Sequence, residues 1–180
     1  GAPLVPPPLR RCLRRGSAAW APRPTGAALR PRRLLMCRPE YFAVSSGINP
    51  WMHTSVPVAR KLALKQWDGL VRAYEALGHK VEFVDPVLGL PDMVFAANSA
   101  LVVNGDVYLA KFQYRERRGE EHPYADWFGH NGFRNVIAPT ETNEGEGDFA
   151  WVGDTLFAGW GFRTDLAAHD EIRARMHLPV

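Results

Sequence analysis

One plan occurs twice along this chain, and it limits the possible folds more than any composition figure does. A strand-like run at residues 81–85 leads through a loop to Pro91-Asp92-Met93-Val94-Phe95-Ala96-Ala97-Asn98, a hairpin signal at Asn104-Gly105-Asp106, and a helix over about 120–128. A second run at 135–138 leads through a loop to Glu144-Gly145-Glu146-Gly147-Asp148, a hairpin signal at Gly153-Asp154, and a helix over about 166–176. Asn-Gly between apolar runs is a strong hairpin marker. A shift of 48 positions lays Gly105 on Gly153, Asp106 on Asp154, Ala110 on Ala158 and Arg115 on Arg163. Residues 34–78 follow the plan more loosely: a strand, a polar loop, and a helix capped by Thr54 or Ser55 and ended at Gly78. Its apolar face would hold Leu62, Trp67, Leu70, Val71, Tyr74 and Leu77. Self-similarity at this period implies α/β modules that stack around an axis and turn equivalent loops toward one centre. No strand signal follows the last helix, so the ring is expected to be open and the sequence to be truncated at its C-terminal end.

Charge separates the chain into two parts. Residues 1–33 hold eight arginines, seven prolines and no acid, which reads as a disordered extension: an organelle-targeting segment, a nucleic-acid-binding arm or a loose tail. Removing those eight from the 22 basic residues leaves 14 against 19 acids in residues 34–180, the expected folded domain. An acidic folded part argues against nucleic-acid binding. No apolar run is long enough to span a membrane. Cys12 and Cys37 form neither a disulfide framework nor a metal-ligand pattern, which fits a reduced, cytoplasmic protein without a metal or cofactor.

Asn49, Asp92, Asn98, Arg115, Arg117, Arg118, Glu144, Glu146, Asp148 and Arg163 are the polar residues of these loops. Carboxylates and amides in a dry pocket suit a planar cation, accepting its in-plane N–H groups. Arginines nearby would hold a carboxylate through paired hydrogen bonds. The ligand this suggests is an arginine-like amino acid. Against that, the 115–121 run reads equally as a solvated charged face. None of His53, His79, His122, His130, His169 and His177 forms a nucleophile–base pair with either cysteine.

Met36-Cys37-Arg38-Pro39-Glu40-Tyr41-Phe42, Ile48-Asn49-Pro50-Trp51-Met52, Pro91 to Asn98, Glu116-Arg117-Arg118-Gly119-Glu120, Glu144 to Asp148 and Gly161-Phe162-Arg163-Thr164 occur in this order. Together they resemble dimethylarginine dimethylaminohydrolase-like proteins of the guanidino-group-modifying, or pentein, superfamily. The resemblance implies a pentein-type α/β propeller of ββαβ modules, about three of five present. It implies hydrolysis of the guanidino group of arginine or N-methylated arginines, with arginine dihydrolase, amidinotransferase or a non-catalytic scaffold as alternatives. Asp92 and Asn98 would grip the guanidinium, Phe95 would line the pocket and Asn49 would lie above it. Arg117 and Arg163 would bind the α-carboxylate, supported by Glu144, Glu146 and Asp148. The family's nucleophilic cysteine and its histidine would lie beyond residue 180. The expected partner is a small arginine derivative, not a membrane or nucleic acid, and homo-oligomerisation is left open.

Overall fold

A computed structural model describes residues 30–45, 47, 55 and 57–178. The chain divides between Arg30 and Pro31, and every described element lies in the second part. Most of the expected loose extension, and Asn49 with it, lies outside the described residues.

Three small sheets follow one another. Strand β1 (Arg33–Cys37) runs parallel to β2 (Lys80–Val84), with helix α1 (Arg60–Ala76) between them in sequence. Strands β3 (Ala100–Val103) and β4 (Asp106–Leu109) form a hairpin. After α2 (Glu121–His130), β5 (Asn135–Ile137) returns parallel to β4, leaving β4 in the middle. Strands β6 (Phe149–Val152) and β7 (Thr155–Ala158) form a second hairpin, followed by α3 (Ala167–Met176).

The repeat is real, but its hairpin register is 49 residues rather than 48. The first turn is Asn104-Gly105, both in the left-handed region (φ 53° and 87°), and Asp106 already belongs to β4. The second turn is Gly153-Asp154, with only the glycine left-handed (φ 66°), and Thr155 begins β7. Matching the two Gly-Asp pairs therefore misplaced the register by one residue. The closing bonds show the true equivalence: the Ala110 N–H donates to the Ser99 carbonyl and the Gly159 N–H to the Asp148 carbonyl, each at 2.8 Å.

Helix α1 differs from expectation at one end and on one face. It starts at Arg60 after Ala59, without a side-chain cap, so the Ser55 cap is not used. It ends as expected: the Gly78 and His79 N–H groups donate to the Glu75 and Tyr74 carbonyls, with Gly78 left-handed. Of its apolar face only Val71 is buried, while Leu62, Leu70 and Leu77 stay exposed. A two-stranded ribbon is too narrow to cover a helix of 17 residues. Trp67 leans on Phe83 with ring centroids 5.4 Å apart, only half-buried.

Two apolar clusters join the sheets. Leu101, Tyr108, Ile137, Phe149, Leu156, Ala168, Ile172 and Met176 weld the second hairpin and α3 to the first hairpin. Cys37, Val84, Met93, Val107, Leu109, Tyr124 and Phe128 bind the first sheet to the second. The segment before β3 folds as two 3-10 turns, Pro91–Val94 and Ala96–Ser99, and contributes Met93 and Ala96 to the second cluster.

Candidate functional site

The loops of the second and third sheets meet at Glu144. Its Oε2 accepts from Asn98 Nδ2 (3.0 Å), Arg163 Nη1 (3.0 Å) and Arg117 Nη1 (3.4 Å). Two glycines allow this approach. A Cβ on Gly147 would stand 2.1 Å from Asn98 Nδ2, and one on Gly145, which is left-handed, 2.6 Å from the Ala100 backbone. Ahead of them, Asn143 is pinned by a paired bridge to Lys111 and by its side chain, which donates to the Leu109 carbonyl (3.2 Å) and accepts from the Gly145 N–H (3.1 Å).

Arg117 is buried, with 4% of its surface exposed, and all three of its guanidinium nitrogens donate hydrogen bonds. Nε and Nη2 donate to the two oxygens of Glu120 at 3.0 and 2.7 Å. Nη2 also reaches the Asp92 carbonyl at 3.3 Å, and the guanidinium carbon lies 4.3 Å over the Phe112 ring. A bidentate pair of this kind is among the stronger polar contacts, and removing one partner inside a protein costs about 3–5 kcal/mol. The solvated-face reading of the 115–121 run is thus overturned for Arg117 and Glu120, while Arg118 does turn outward to the Phe112 and Gln113 carbonyls.

Arg163 is the more accessible guanidinium. Nη2 donates to Asp148 Oδ1 (2.5 Å) and the Gly147 carbonyl (3.2 Å). The adjacent Thr164 hydroxyl donates to Asp148 Oδ2 (2.8 Å) and accepts from the Glu144 N–H (3.3 Å). Asp92 is buried, and its Oδ1 has no hydrogen-bond partner among the described residues. Within this cluster Asp92, Glu120, Glu144 and Asp148 outnumber Arg117 and Arg163. Burial pushes the Asp92, Glu120 and Glu144 carboxyls up, against the pull of the arginines. A buried surplus of acid with an unpartnered oxygen is a place prepared for a cationic donor.

The expected residues divide. Asp92, Asn98, Arg117, Glu144, Asp148 and Arg163 belong to one bonded cluster. Phe95 is nearly half exposed and meets Phe42 edge-on at 5.8 Å, outside that network. Glu146 is exposed and accepts from the Val102 N–H at 3.4 Å. Sequence reasoning missed Glu120, Thr164 and Asn143 as supports. The three-residue spacing of Arg117 and Glu120 hinted at a pair, but nothing local reveals that it is buried. Cys37 is inside β1, where burial first, and then the charges of Glu120 and Asp85, push its thiol up to about 12. Among the described residues no histidine hydrogen-bonds to the cluster, and no group of histidine, cysteine or acidic side chains is arranged to hold a metal.

Residues 38–179 match the family described as N,N dimethylarginine dimethylhydrolase, eukaryotic. The chain is 43% identical over 164 residues to the N(G),N(G)-dimethylarginine dimethylaminohydrolase of Mycobacterium tuberculosis, covering 91% of this chain and 54% of that protein. It is 40% identical over 144 residues to the bifunctional arginine dihydrolase/ornithine cyclodeaminase ArgZ of Synechocystis, covering 78% of this chain and 20% of that one. Among solved structures, the substrate-bound N-terminal domain of cyanobacterial ArgZ, an arginine dihydrolase, superposes with a TM-score of 0.75 at 36% identity, over 82% of this chain and 56% of that domain. The chain thus spans about half the length of the mycobacterial relative and of the ArgZ domain. It belongs to the dimethylarginine dimethylaminohydrolase family and has that family's mixed α/β fold.

Proposed function

We propose that the cluster around Glu144 is the substrate-binding part of a C–N hydrolase acting on the guanidino group of arginine or an N-methylated arginine. The observation that carries this reading is the buried Asp92 carboxylate with a free Oδ1 beside an excess of acid. A substrate guanidinium supplies the missing in-plane donors to Asp92 and to the amide oxygen of Asn98. Phe95 lines the approach, and Asn49 closes over it. The substrate's α-carboxylate is taken by Arg163, the half-exposed arginine, and by Arg117 Nη1, whose 3.4 Å bond to Glu144 is the weakest it makes. Glu144 and Asp148 hold both arginines in place, with Glu146 at the edge.

Hydrolysis in this reading needs a thiolate to attack the guanidinium carbon, an acid to protonate the departing amine, and water to release the product. Cys37 cannot serve, because its buried thiol stays protonated at neutral pH. The reading therefore assigns the cysteine and histidine to the portion of the family's length that these 180 residues do not span, and the chain by itself is inactive. The reaction fits a cytoplasmic location; no helix among the described residues is long and apolar enough to cross a membrane.

A second reading, arginine dihydrolase, is favoured by Asn98. Its Nδ2 donates to Glu144, where an aspartate would set two carboxylates about 3 Å apart. ArgZ, at 40% identity, is an arginine dihydrolase in one of its two activities. Thermal unfolding of the chain with arginine, N,N-dimethylarginine and agmatine tests the proposal. Either amino acid at ten times its Kd adds about 1.4 kcal/mol of stability. Agmatine, lacking the carboxylate, protects far less, and the stronger of the two amino acids names the substrate. No protection by either one refutes the reading.

A further inference from the structure

With no donor on its Oδ1 among the described residues, the Asp92 carboxylate takes its direction from the backbone that carries it. That backbone is the Pro91–Val94 turn, which opens on a proline of fixed φ. The turn closes on the Asp92 carbonyl, which accepts from the Phe95 N–H at 2.9 Å and from Arg117 Nη2 at 3.3 Å. The next carbonyl, that of Met93, accepts from the Tyr124 hydroxyl. The two peptide groups directly after Asp92 are thus each held by a side chain from outside the turn. Arg117 belongs to the charged cluster, whereas Tyr124 lies on α2, buried in the apolar cluster with Cys37, Val84, Met93 and Phe128.

Packing alone does not call for that hydroxyl. The helices, unlike the hairpins, repeat at 48 positions: Tyr124 and Phe128 of α2 lie where α3 has Ile172 and Met176, and all four are buried. The third module fills with an isoleucine the place that the second fills with a tyrosine, so the phenol oxygen is what the second module adds. A hydroxyl in such a place is costly unless it is bonded. Burial above all pushes the Tyr124 pKa up, which keeps the group a donor across the working pH range. The third module holds its own loop differently. Glu171 of α3 accepts from the Thr140 and Glu141 N–H groups, ahead of Glu144. In each module a polar side chain of the helix reaches back to the loop that brings an acid to the cluster, Tyr124 toward Asp92 and Glu171 toward Glu144.

We infer that Tyr124 is a positioning residue for guanidinium binding: its hydroxyl fixes the Met93 peptide and, together with Arg117, aims the Asp92 carboxylate into the site. This rests on the reading of Asp92 as the acceptor of the ligand's guanidinium, and it adds a residue that the ligand does not touch. Tyr124 governs one end of the ligand only, because Arg163 takes the α-carboxylate at the other. Loss of the hydroxyl therefore weakens ligands through their guanidinium, while a general loosening of the core weakens every ligand with the amino-acid end.

Titration calorimetry of the 180-residue chain with arginine and with citrulline separates the two. Citrulline has the same amino-acid end and a neutral ureido group in place of the guanidinium. Tyr124→Phe keeps the ring and removes the hydroxyl. It is expected to lower the ratio of arginine to citrulline affinity by about fivefold, with the melting temperature down by no more than a few degrees. Phe128→Leu, one helical turn along in the same cluster, removes packing and leaves the hydroxyl in place. It is expected to lower the melting temperature at least as far and to keep the affinity ratio within about twofold of the original. An unchanged ratio in Tyr124→Phe overturns the inference and leaves the ligand site standing. An equal fall of the ratio in Phe128→Leu overturns it too, since loosening of the core would then suffice. If the original chain binds arginine no more tightly than citrulline, the ligand-site reading itself fails and the inference fails with it.

Discussion

Tyr108 and Phe157 hold equivalent places in the two hairpins, one on β4 and the other on β7, yet they have opposite surroundings. Tyr108 is fully buried, while Phe157 is 62% exposed. Tyr108 packs on Phe149 at 6.4 Å, and its hydroxyl donates to Glu171 at 2.9 Å, both belonging to the module that follows. Phe157 has no following module beside it among the described residues, and Val152, Trp160 and Phe162 near it are exposed too. Burial at this repeat position is decided by whether a further module packs beside it, not by the residue.

The comparison can be broken by truncating both rings. Tyr108→Ala is expected to cost about 3–5 kcal/mol by denaturant unfolding, because it empties a filled core site. Phe157→Ala should change stability by less than about 0.5 kcal/mol and reduce self-association seen by sedimentation. Comparable losses at the two sites would show that the modules are not equivalent in the way described. Glu120→Ala belongs with the large effects. It strands the buried Arg117 charge and should cost about 3–5 kcal/mol in the same assay, whereas a reversal of an exposed charge such as Asp170 should cost little.

Glu171 sharpens the comparison through pH. It accepts from the Thr140 and Glu141 N–H groups, from Tyr108 and from Arg175, tying the loop ahead of Glu144 to α3. Burial alone would raise its pKa, but those donors outweigh burial and pull it down to about 2. A carboxyl lowered on folding stabilises the protein above its unfolded value, near 4.5, and loses that contribution as pH falls toward 2. The loss should be on the order of 2 kcal/mol in urea unfolding between pH 5 and pH 2.5, and Glu171→Gln should reduce this acid dependence. At the smaller end, Gly147→Ala must push Asn98 away from Glu144. It should cost about 1–3 kcal/mol and weaken ligand protection, while Gly153→Ala costs about 1 kcal/mol through its left-handed φ alone.

Much of this was legible in the residues. Asn104-Gly105 specified its turn because only residues that tolerate positive φ suit both positions. Gly78 ended α1 for a related reason. The meeting of Asp92, Asn98, Glu144 and Arg163 followed from the repeat, since equivalent loops of stacked modules face one centre. What stayed hidden depends on the neighbours of each element. The α1 face reads as core in the sequence but is half bare, because its covering sheet is two strands wide. The sequence left open whether the 115–121 run faces a pocket or solvent, and Arg117 and Glu120 are sealed under Phe112 and Asp92 by contacts 5 to 25 positions away. The one-residue register error arose because Gly-Asp straddles one turn differently from the other, and only the strand pairing distinguishes them.

The most direct test of the central claim compares ligand protection in the original protein and in Asp92→Asn, by calorimetric unfolding with and without saturating arginine or N,N-dimethylarginine. The substitution removes a buried carboxylate that lacks a partner, so the unliganded variant should be as stable as the original or more so. Its protection by either ligand should nonetheless fall by at least half. Equal protection of the two proteins would mean that Asp92 does not receive a guanidinium, and the reading of the acidic cluster as a substrate site would fail.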